Sequence, residues 1–488
     1  MKFVSKIILI LCAVMMVNVG CNYTDIEPEF TRDADNFFID EQDYYQALTA
    51  AYDLLQTSYL SLWIGEIASD NSIAGGESVT DTEGLHQIDN MTHSGVNNEL
   101  QSVWRFNYAG ITRVNFIFEN RDNIDFAGKD EVLAEAAFLR AYYYFELVKF
   151  FGDVPLVVDR RIGAEEISSL DRTPASEVYA QIETDLMTAA ETLTYTRAEK
   201  GRITKGAALA LLGKAYLYQD KFTEAAAVLD QVITEGPYGL YNDFSTLFRV
   251  GAEGSQESVF EIEYVGTEGG GYGCFVCLEG FAAVGFHGIR GYKGPIYADG
   301  NSYNLPTQDL VDAFEADDLR LDATILDIEQ FAADNPGVEY VEGAGGHTGY
   351  YNNKYQKRLD ELGLADNDLT SPVNHRVIRY ADVLLMAAEA NARKSSPDEA
   401  KAREYLNEVR DRADLEMVSA TGQALIEAIW DERRLELAGE GDRFFDLVRT
   451  GRAAQEIDGF TTGKNEVFPI PQDEIDLANA GWQQNPGY

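Results

Sequence analysis

Two separated stretches of this 488-residue chain repeat one spacing of small and apolar residues, and that spacing belongs to paired antiparallel helices. In the first, Leu212, Gly213, Tyr216, Ala225, Leu229, Val232 and Pro237 fall at the offsets of the tetratricopeptide pattern, a helix–turn–helix unit of about 34 residues. The second runs through Ala387, Ala388, Asn391, Ala402, Leu406 and Val409, with a turn two residues longer at Ser395 to Asp398. Small residues such as Gly213 and Ala225 let two helices approach closely, so the spacing specifies a contact as well as a secondary structure. Such a unit cannot bury its apolar face alone, and a free-standing array takes about three or more adjacent repeats. Two isolated units therefore predict a helical scaffold with irregular neighbours.

Apolar residues recur at helical steps elsewhere. Tyr44, Leu48, Ala51, Tyr52 and Leu55 share a face from Phe37 onward, and amphipathic stretches follow at 99–120, 129–151, 174–194, 205–219 and 222–235. From about 237 to 375 the chain turns rich in Gly, Tyr and Asn, with the run Gly269 to Gly271 and the cluster His347 to Tyr351. Within it, Val259 to Tyr264 alternates as a strand does, and Leu305 to Leu319 predicts one helix opened by Pro306 and Thr307. Helical periodicity resumes from Arg376 to Arg452. The expected fold is mostly α: a tetratricopeptide-like helical hairpin scaffold over about 37–236 and 376–488, with a loop-rich, partly β insertion at about 237–375 forming the ligand face. A single domain is expected to span 37–488.

Ahead of that domain, Lys2 and Lys6 precede an apolar run from Ile7 to Val17, and the small residues Val19 and Gly20 lead to Cys21. A charged start, a short apolar core and a small-residue approach to cysteine describe a lipoprotein signal peptide over 1–20, too short to span a bilayer. The mature chain would begin at an acylated Cys21, followed by an acidic tether over 21–36 that carries Asp25, Glu27 and Glu29. Asn18 stands where leucine is usual, and a plain secretory signal is the alternative.

The formal net charge is −43, from 39 basic and 82 acidic residues. Nucleic acid and anionic lipid surfaces are poor partners on that ground, since both are bound through clustered Lys and Arg. Hydrophobic residues make up 45% of the chain, enough for a large core without help from cysteines. Cys274 and Cys277 read as a local disulfide in an exported protein; free thiols, or a metal site with His287 as the nearby histidine, are the alternatives. No His-Glu-x-x-His, Gly-x-Ser-x-Gly, phosphate-binding glycine loop or calcium-loop spacing occurs, and the five histidines do not pair at metal-ligand spacing. No cofactor and no metal is expected. A pair of carboxylates suited to glycoside hydrolysis is always available among 82 acids, but nothing marks two of them out.

Longer segments carry a resemblance. These are Glu135 to Phe145 leading to Phe151-Gly152-Asp153-Val154-Pro155-Leu156, Arg202 to Ala208, Arg379 to Ala390, Leu406 to Ala413, Glu432 to Leu437 continuing through Gly441 to Arg449, Phe468-Pro469-Ile470-Pro471, and Gln484 to Tyr488. Jointly they resemble the SusD/RagB family of outer-membrane nutrient-binding lipoproteins along nearly the whole mature chain. The resemblance implies a non-enzymatic protein, lipid-anchored at the outer membrane and facing the exterior, that caps a SusC-like TonB-dependent transporter and hands it captured ligand, most often an oligosaccharide. In the family, acidic residues after the lipidated cysteine go with surface display, and Asp25, Glu27 and Glu29 look similar.

Sugar recognition needs flat apolar surfaces for the C–H side of the ring, with amides and carboxylates for its hydroxyls. The insertion supplies Tyr272, Phe286, Tyr292, Tyr297, Tyr350 and Tyr351 as candidate platforms and Asn352 as a candidate amide. The segment after the first helical hairpin also reaches the ligand face in the family, which implies Asp70 and Asn71 here, ahead of Gly75-Gly76. Glu432, Arg433, Arg434, Glu436, Arg443, Asp446 and Arg449 read as ion pairs between packed helices, and the Tyr142 to Phe145 run as core. The expected function is binding of an oligo- or polysaccharide without catalysis. A peptide- or protein-binding member of the same family is the alternative, followed by a surface glycoside hydrolase.

Overall fold

In the computed structural model, which describes residues 37–267, 271, 278–364, 368–479 and 481–488, several helices start where a side chain satisfies the free amides of the first turn. Asp40 accepts from the Asp43 amide and Asp43 returns the bond at the start of α1 (Glu41–Asp53). After α2 (Tyr59–Ile67) and α3 (Glu83–Asp89), Asn97 accepts from the amides of Glu99 and Leu100 to open α4 (Asn98–Glu119). Helix α5 (Lys129–Phe151) is apolar nearly all round and runs through the centre of the molecule, with Phe138, Tyr142, Tyr143, Tyr144 and Phe145 all buried. Tyr143 donates to the Ala51 carbonyl at 2.6 Å and lies on Gly110, where a Cβ would meet the ring at 2.5 Å. The aromatic run is core, as its setting in an apolar helix predicts.

Helix α6 (Ala175–Thr192) packs on α5 through a buried pair, Arg140 to Asp185 at 2.7 Å. The first predicted hairpin follows as α7 (Lys205–Leu217) and α8 (Phe222–Glu235), and a Cβ on Gly213 would meet the Leu229 side chain at 2.5 Å. The second forms from α9 (Tyr380–Arg393) and α10 (Glu399–Arg412), whose longer turn ends in Asp398 accepting from the Lys401 amide. The two units stack although the insertion separates them in sequence. Asp230 of α8 takes hydrogen bonds from Asn391 at 3.1 Å, Lys401 at 2.7 Å and Tyr405 at 3.1 Å. Helices α11 (Gln423–Glu436) and α12 (Arg443–Arg449) complete a mostly α scaffold. No helix among the described residues is long and apolar enough to cross a membrane.

Strands are few and short: β1 (Ser72–Gly75), β2 (Ser258–Ile262), β3 (Tyr303–Pro306), β4 (Ile325–Asp327), β5 (Tyr350–Asn352) and β6 (His375–Arg379). They form three two-stranded antiparallel ladders, β1 with β3, β2 with β6 and β4 with β5. The strand expected at Val259 to Tyr264 is present as β2. The helix expected from Leu305 to Leu319 is shorter: Leu305 and Pro306 pair with Ile73 and Ser72, and the helix runs Gln308–Ala313 after Thr307 caps it. Long-range pairing with β1 takes residues that local periodicity assigns to the helix. Buried charges lock these ladders to the scaffold: Arg320 reaches Asp318 at 2.7 Å, Glu432 at 2.6 Å and Glu436 at 3.0 Å, and Arg379 reaches Glu436 at 2.8 Å and Glu440 at 2.7 Å.

Candidate ligand-binding face

Three loops converge over the glycine pair that ends β1. Gly75 and Gly76 have φ of +75° and +84°, a region that disfavours side chains, and Gly76 donates to the Ser302 carbonyl at 2.7 Å. The strip 343–346 lies against them, with Ala344 donating to the Glu77 carbonyl at 2.9 Å. A Cβ on Gly343 would sit 2.1 Å from the Gly76 carbonyl oxygen, and one on Gly345 equally close to that of Gly75. The glycines are there because backbone meets backbone. The third loop follows the buried helix Ala282–His287, and its Arg290 carbonyl accepts from Val341 at 2.8 Å.

Unpartnered polar groups occur on these loops. Both ring nitrogens of His347, Nε of Arg290 and Nδ2 of Asn301 are screened from water with no hydrogen-bond partner. A buried polar group left without a partner costs about 1–3 kcal/mol, so each of these is a place for a water or a ligand group. Tyr340 stacks on His347, with centroids 6.0 Å apart and planes 30° apart, and both rings are half-exposed. Val79 and Val341, on the same loops, are 62% and 51% exposed. Arg290 reaches Glu77 at 3.3 Å and Asp81 at 3.8 Å, distances too long to saturate a guanidinium. Burial, and then the carboxylates of Glu329, Glu342 and Asp327, raise the Tyr340 hydroxyl above its ordinary range. Among the described residues, no group of three His, Cys, Asp or Glu is placed to hold a metal ion.

The residues singled out in the sequence stand mostly behind this face. Asp70 holds Arg443 through two bonds of 2.7 Å and Arg434 at 3.0 Å; burial works to raise its carboxyl, and the arginines outweigh it and hold it below the usual range. Asn71 is fully buried, accepting from Arg434 at 3.0 Å and donating to Glu66 at 3.4 Å. Phe286 packs edge-on against Trp63 with centroids at 4.5 Å, beside His287, whose imidazole burial pushes down to about 3. Tyr292, Tyr297 and Tyr351 form a small core with Ile289, Leu326 and Ile328. Tyr292 donates to the Pro295 carbonyl at 2.6 Å, and the Tyr351 hydroxyl meets Ser302 at 3.2 Å. Asn352 is buried and donates to the Gly439 carbonyl at 3.0 Å. These side chains have protein partners and are buried or nearly so, standing behind the exposed rings. Tyr350 alternates to the other side of β5, half-exposed, and donates to Gln308 at 2.8 Å. Tyr272, Cys274, Cys277 and Cys21 lie outside the described residues.

Sequence reasoning passed over Arg290, Tyr340 and His347. The glycine strip 343–346 beside the cluster His347 to Tyr351 is the signal that points to them, since repeated glycine marks close backbone approach.

Known proteins agree with this architecture. Residues 251–488 match the family model described as "SusD family", and residues 23–217 one described as "Starch-binding associating with outer membrane". SusD-like protein P2 of Formosa agariphila is 28% identical, over 97% of this chain and 98% of that protein. A solved structure titled "Laminarin binding SusD-like protein" is 34% identical, with a TM-score of 0.84 over 92% of this chain and 100% of that one. Surface glycan-binding protein A from Bacteroides thetaiotaomicron, solved in complex with laminarihexaose, is 25% identical, with a TM-score of 0.80 over 91% of this chain and 99% of its own. The two family models, the identity to a SusD-like protein over nearly the full length and the matching fold make this chain a member of the SusD/RagB family.

Proposed function

We propose that the protein binds a β-glucan of the laminarin type at this face, without catalysis, and passes it to a TonB-dependent outer-membrane transporter. Acylated Cys21 and the acidic tether would hold it on the exterior side of the outer membrane. The observation that carries the reading is the stacked, half-exposed pair Tyr340 and His347, with unpartnered polar atoms on His347 and on Arg290 and Asn301 of the adjoining loop. Sugar hydroxyls satisfy such groups, and an aromatic face takes the C–H side of a glucose ring. The laminarin and laminarihexaose named for two of the similar structures point to the glucan class. The frame residues Asp70, Asn71, Phe286, Tyr292, Tyr297, Tyr351 and Asn352 would position the contacts from behind.

Titration calorimetry of the mature protein against laminarin, other glucans and a peptide library tests this. Laminarin should bind, and Tyr340→Ala or His347→Ala should weaken it by about tenfold or more, the scale of one lost stacking or hydrogen-bonding contact. Overnight incubation should release no new reducing ends. Peptide binding with no glycan bound would replace the reading with the peptide-binding alternative, and sustained release of reducing ends would replace it with the hydrolase.

A further inference from the structure

Resting on the reading of this face as the glycan site, we propose that it accepts neutral polysaccharides and turns away sulfated or uronic ones, Arg290 serving as a hydroxyl donor whose charge Glu77 and Asp81 cancel. The charges on the face are unevenly distributed. Arg290 is the cation beside the unpartnered groups, and its terminal nitrogens point at Glu77 and Asp81. Lys293 is taken up by Glu339 at 2.7 Å. Around Tyr340 stand Asp327, Glu329 and Glu342, all exposed, with no basic side chain paired to them among the described residues. The field that a bound polymer meets is therefore negative.

A guanidinium presents fixed, planar donors, and clasping two of its nitrogens loosely with carboxylates leaves Nε directed elsewhere. Nε of Arg290 is buried without a partner, while the terminal nitrogens of this partly exposed side chain keep N–H groups from which a hydroxyl oxygen can accept with no net charge brought into the cleft. A sulfate or carboxylate at that position would also meet Glu77 and Asp81. Exposed charges act over about 8–10 Å in ordinary buffers, a span that covers one or two sugar rings, so each anionic repeat would face several carboxylates at once. Hydroxyls can donate to those same carboxylates. The acids are then acceptors for a neutral chain and a barrier to an anionic one.

The test compares three forms of one laminarin preparation, unmodified, hydroxyethylated and carboxymethylated, the second matching the bulk of the third without its charge. Affinities are measured in low and high salt for the mature protein and for the triple variant Glu77→Gln, Glu329→Gln, Glu342→Gln, and the ratio of hydroxyethyl to carboxymethyl affinity is read within each protein. The ratio should be about tenfold or more for the natural protein in low salt, shrink in high salt, and fall toward one in the variant. A ratio near one in the natural protein, or one that the variant leaves unchanged, overturns the proposal while the glucan reading stands. If neither neutral form binds, the reading of the face and this proposal fall together.

Discussion

Glu66 shows how much of this face depends on single buried groups. It is wholly buried on α2 and accepts from the Gly441 amide at 2.8 Å and from Asn71 at 3.4 Å, tying the segment before β1 to the turn between α11 and α12. Burial outweighs these donors and pushes its carboxyl up to about 7. A carboxyl that binds its proton more tightly in the folded state destabilises the fold once the unfolded chain has ionised, so stability falls between about pH 4.5 and 7 by on the order of 3 kcal/mol. Glu66→Gln keeps the acceptor for Gly441 without the charge. Its melting temperature should exceed that of the natural protein at pH 8 and match it near pH 4.5; a variant less stable at both would show that the carboxylate itself is needed. Asp70 and Asn71 were expected at the ligand face because the family resemblance brings the segment after the first helical hairpin there. Their partners, Arg434 and Arg443, lie at the far end of the chain, and nothing local announces them. His347 was legible only through its glycine neighbours, since orphaned nitrogens exist only once the loops have met.

At the scale of elements, the scaffold was readable and the insertion much less so, for one reason. Helical hairpins are specified by residues three and four apart, so Gly213 under Leu229 and the buried Ala387 and Ala402 of the second hairpin can be read from spacing alone. The ladders of the insertion are three to five residues long and pair with distant segments, as Leu305 does with Ile73, so neither period has room to show. The same contrast separates two substitutions. Gly213→Leu places a side chain where Leu229 already is, between packed helices, and should cost about 1–3 kcal/mol or more, seen as a lower melting temperature. Gly343→Val places a Cβ 2.1 Å from the Gly76 carbonyl oxygen in a surface loop. It should lower the melting temperature by only a few degrees, about 1 kcal/mol or less, while weakening laminarin by about tenfold through displacement of Tyr340 and His347. Full affinity in that variant would mean that the glycine strip does not position the face.

For the whole molecule, charge sets a two-sided response to pH. At neutral pH the net charge of −43 repels itself, and Glu66, Glu99 and Glu253, each pushed up to about 7 by burial, ionise at a cost. Acidifying from pH 8 toward 5 relieves both, so stability should rise. The ion pairs that join the helices work the other way. Burial raises the Glu389 carboxyl, but Arg449 at 2.8 Å and Arg393 at 2.7 Å outweigh it and hold it down to about 2; Glu436 and Asp446 are likewise held far below the ordinary range against burial, by Arg412 and Arg379 and by Arg433 and Arg449. A depressed carboxyl contributes stability that is fully present above its unfolded value of about 4.5 and is lost as pH falls through the folded one. Melting temperature against pH should therefore climb from pH 8, peak between about 5 and 6, and fall steeply from 4.5 toward 2. Arg449→Met removes a cation that holds both Glu389 and Asp446, and leaves their charges buried without that partner. It should lower the peak and shift the acid limb upward in pH, while leaving the limb between 8 and 6 in place, because Glu66, Glu99 and Glu253 are not among the partners of Arg449. A scan in which Arg449→Met lowers stability equally at every pH would show that packing lost with the guanidinium, and not its charge, is what α12 contributes.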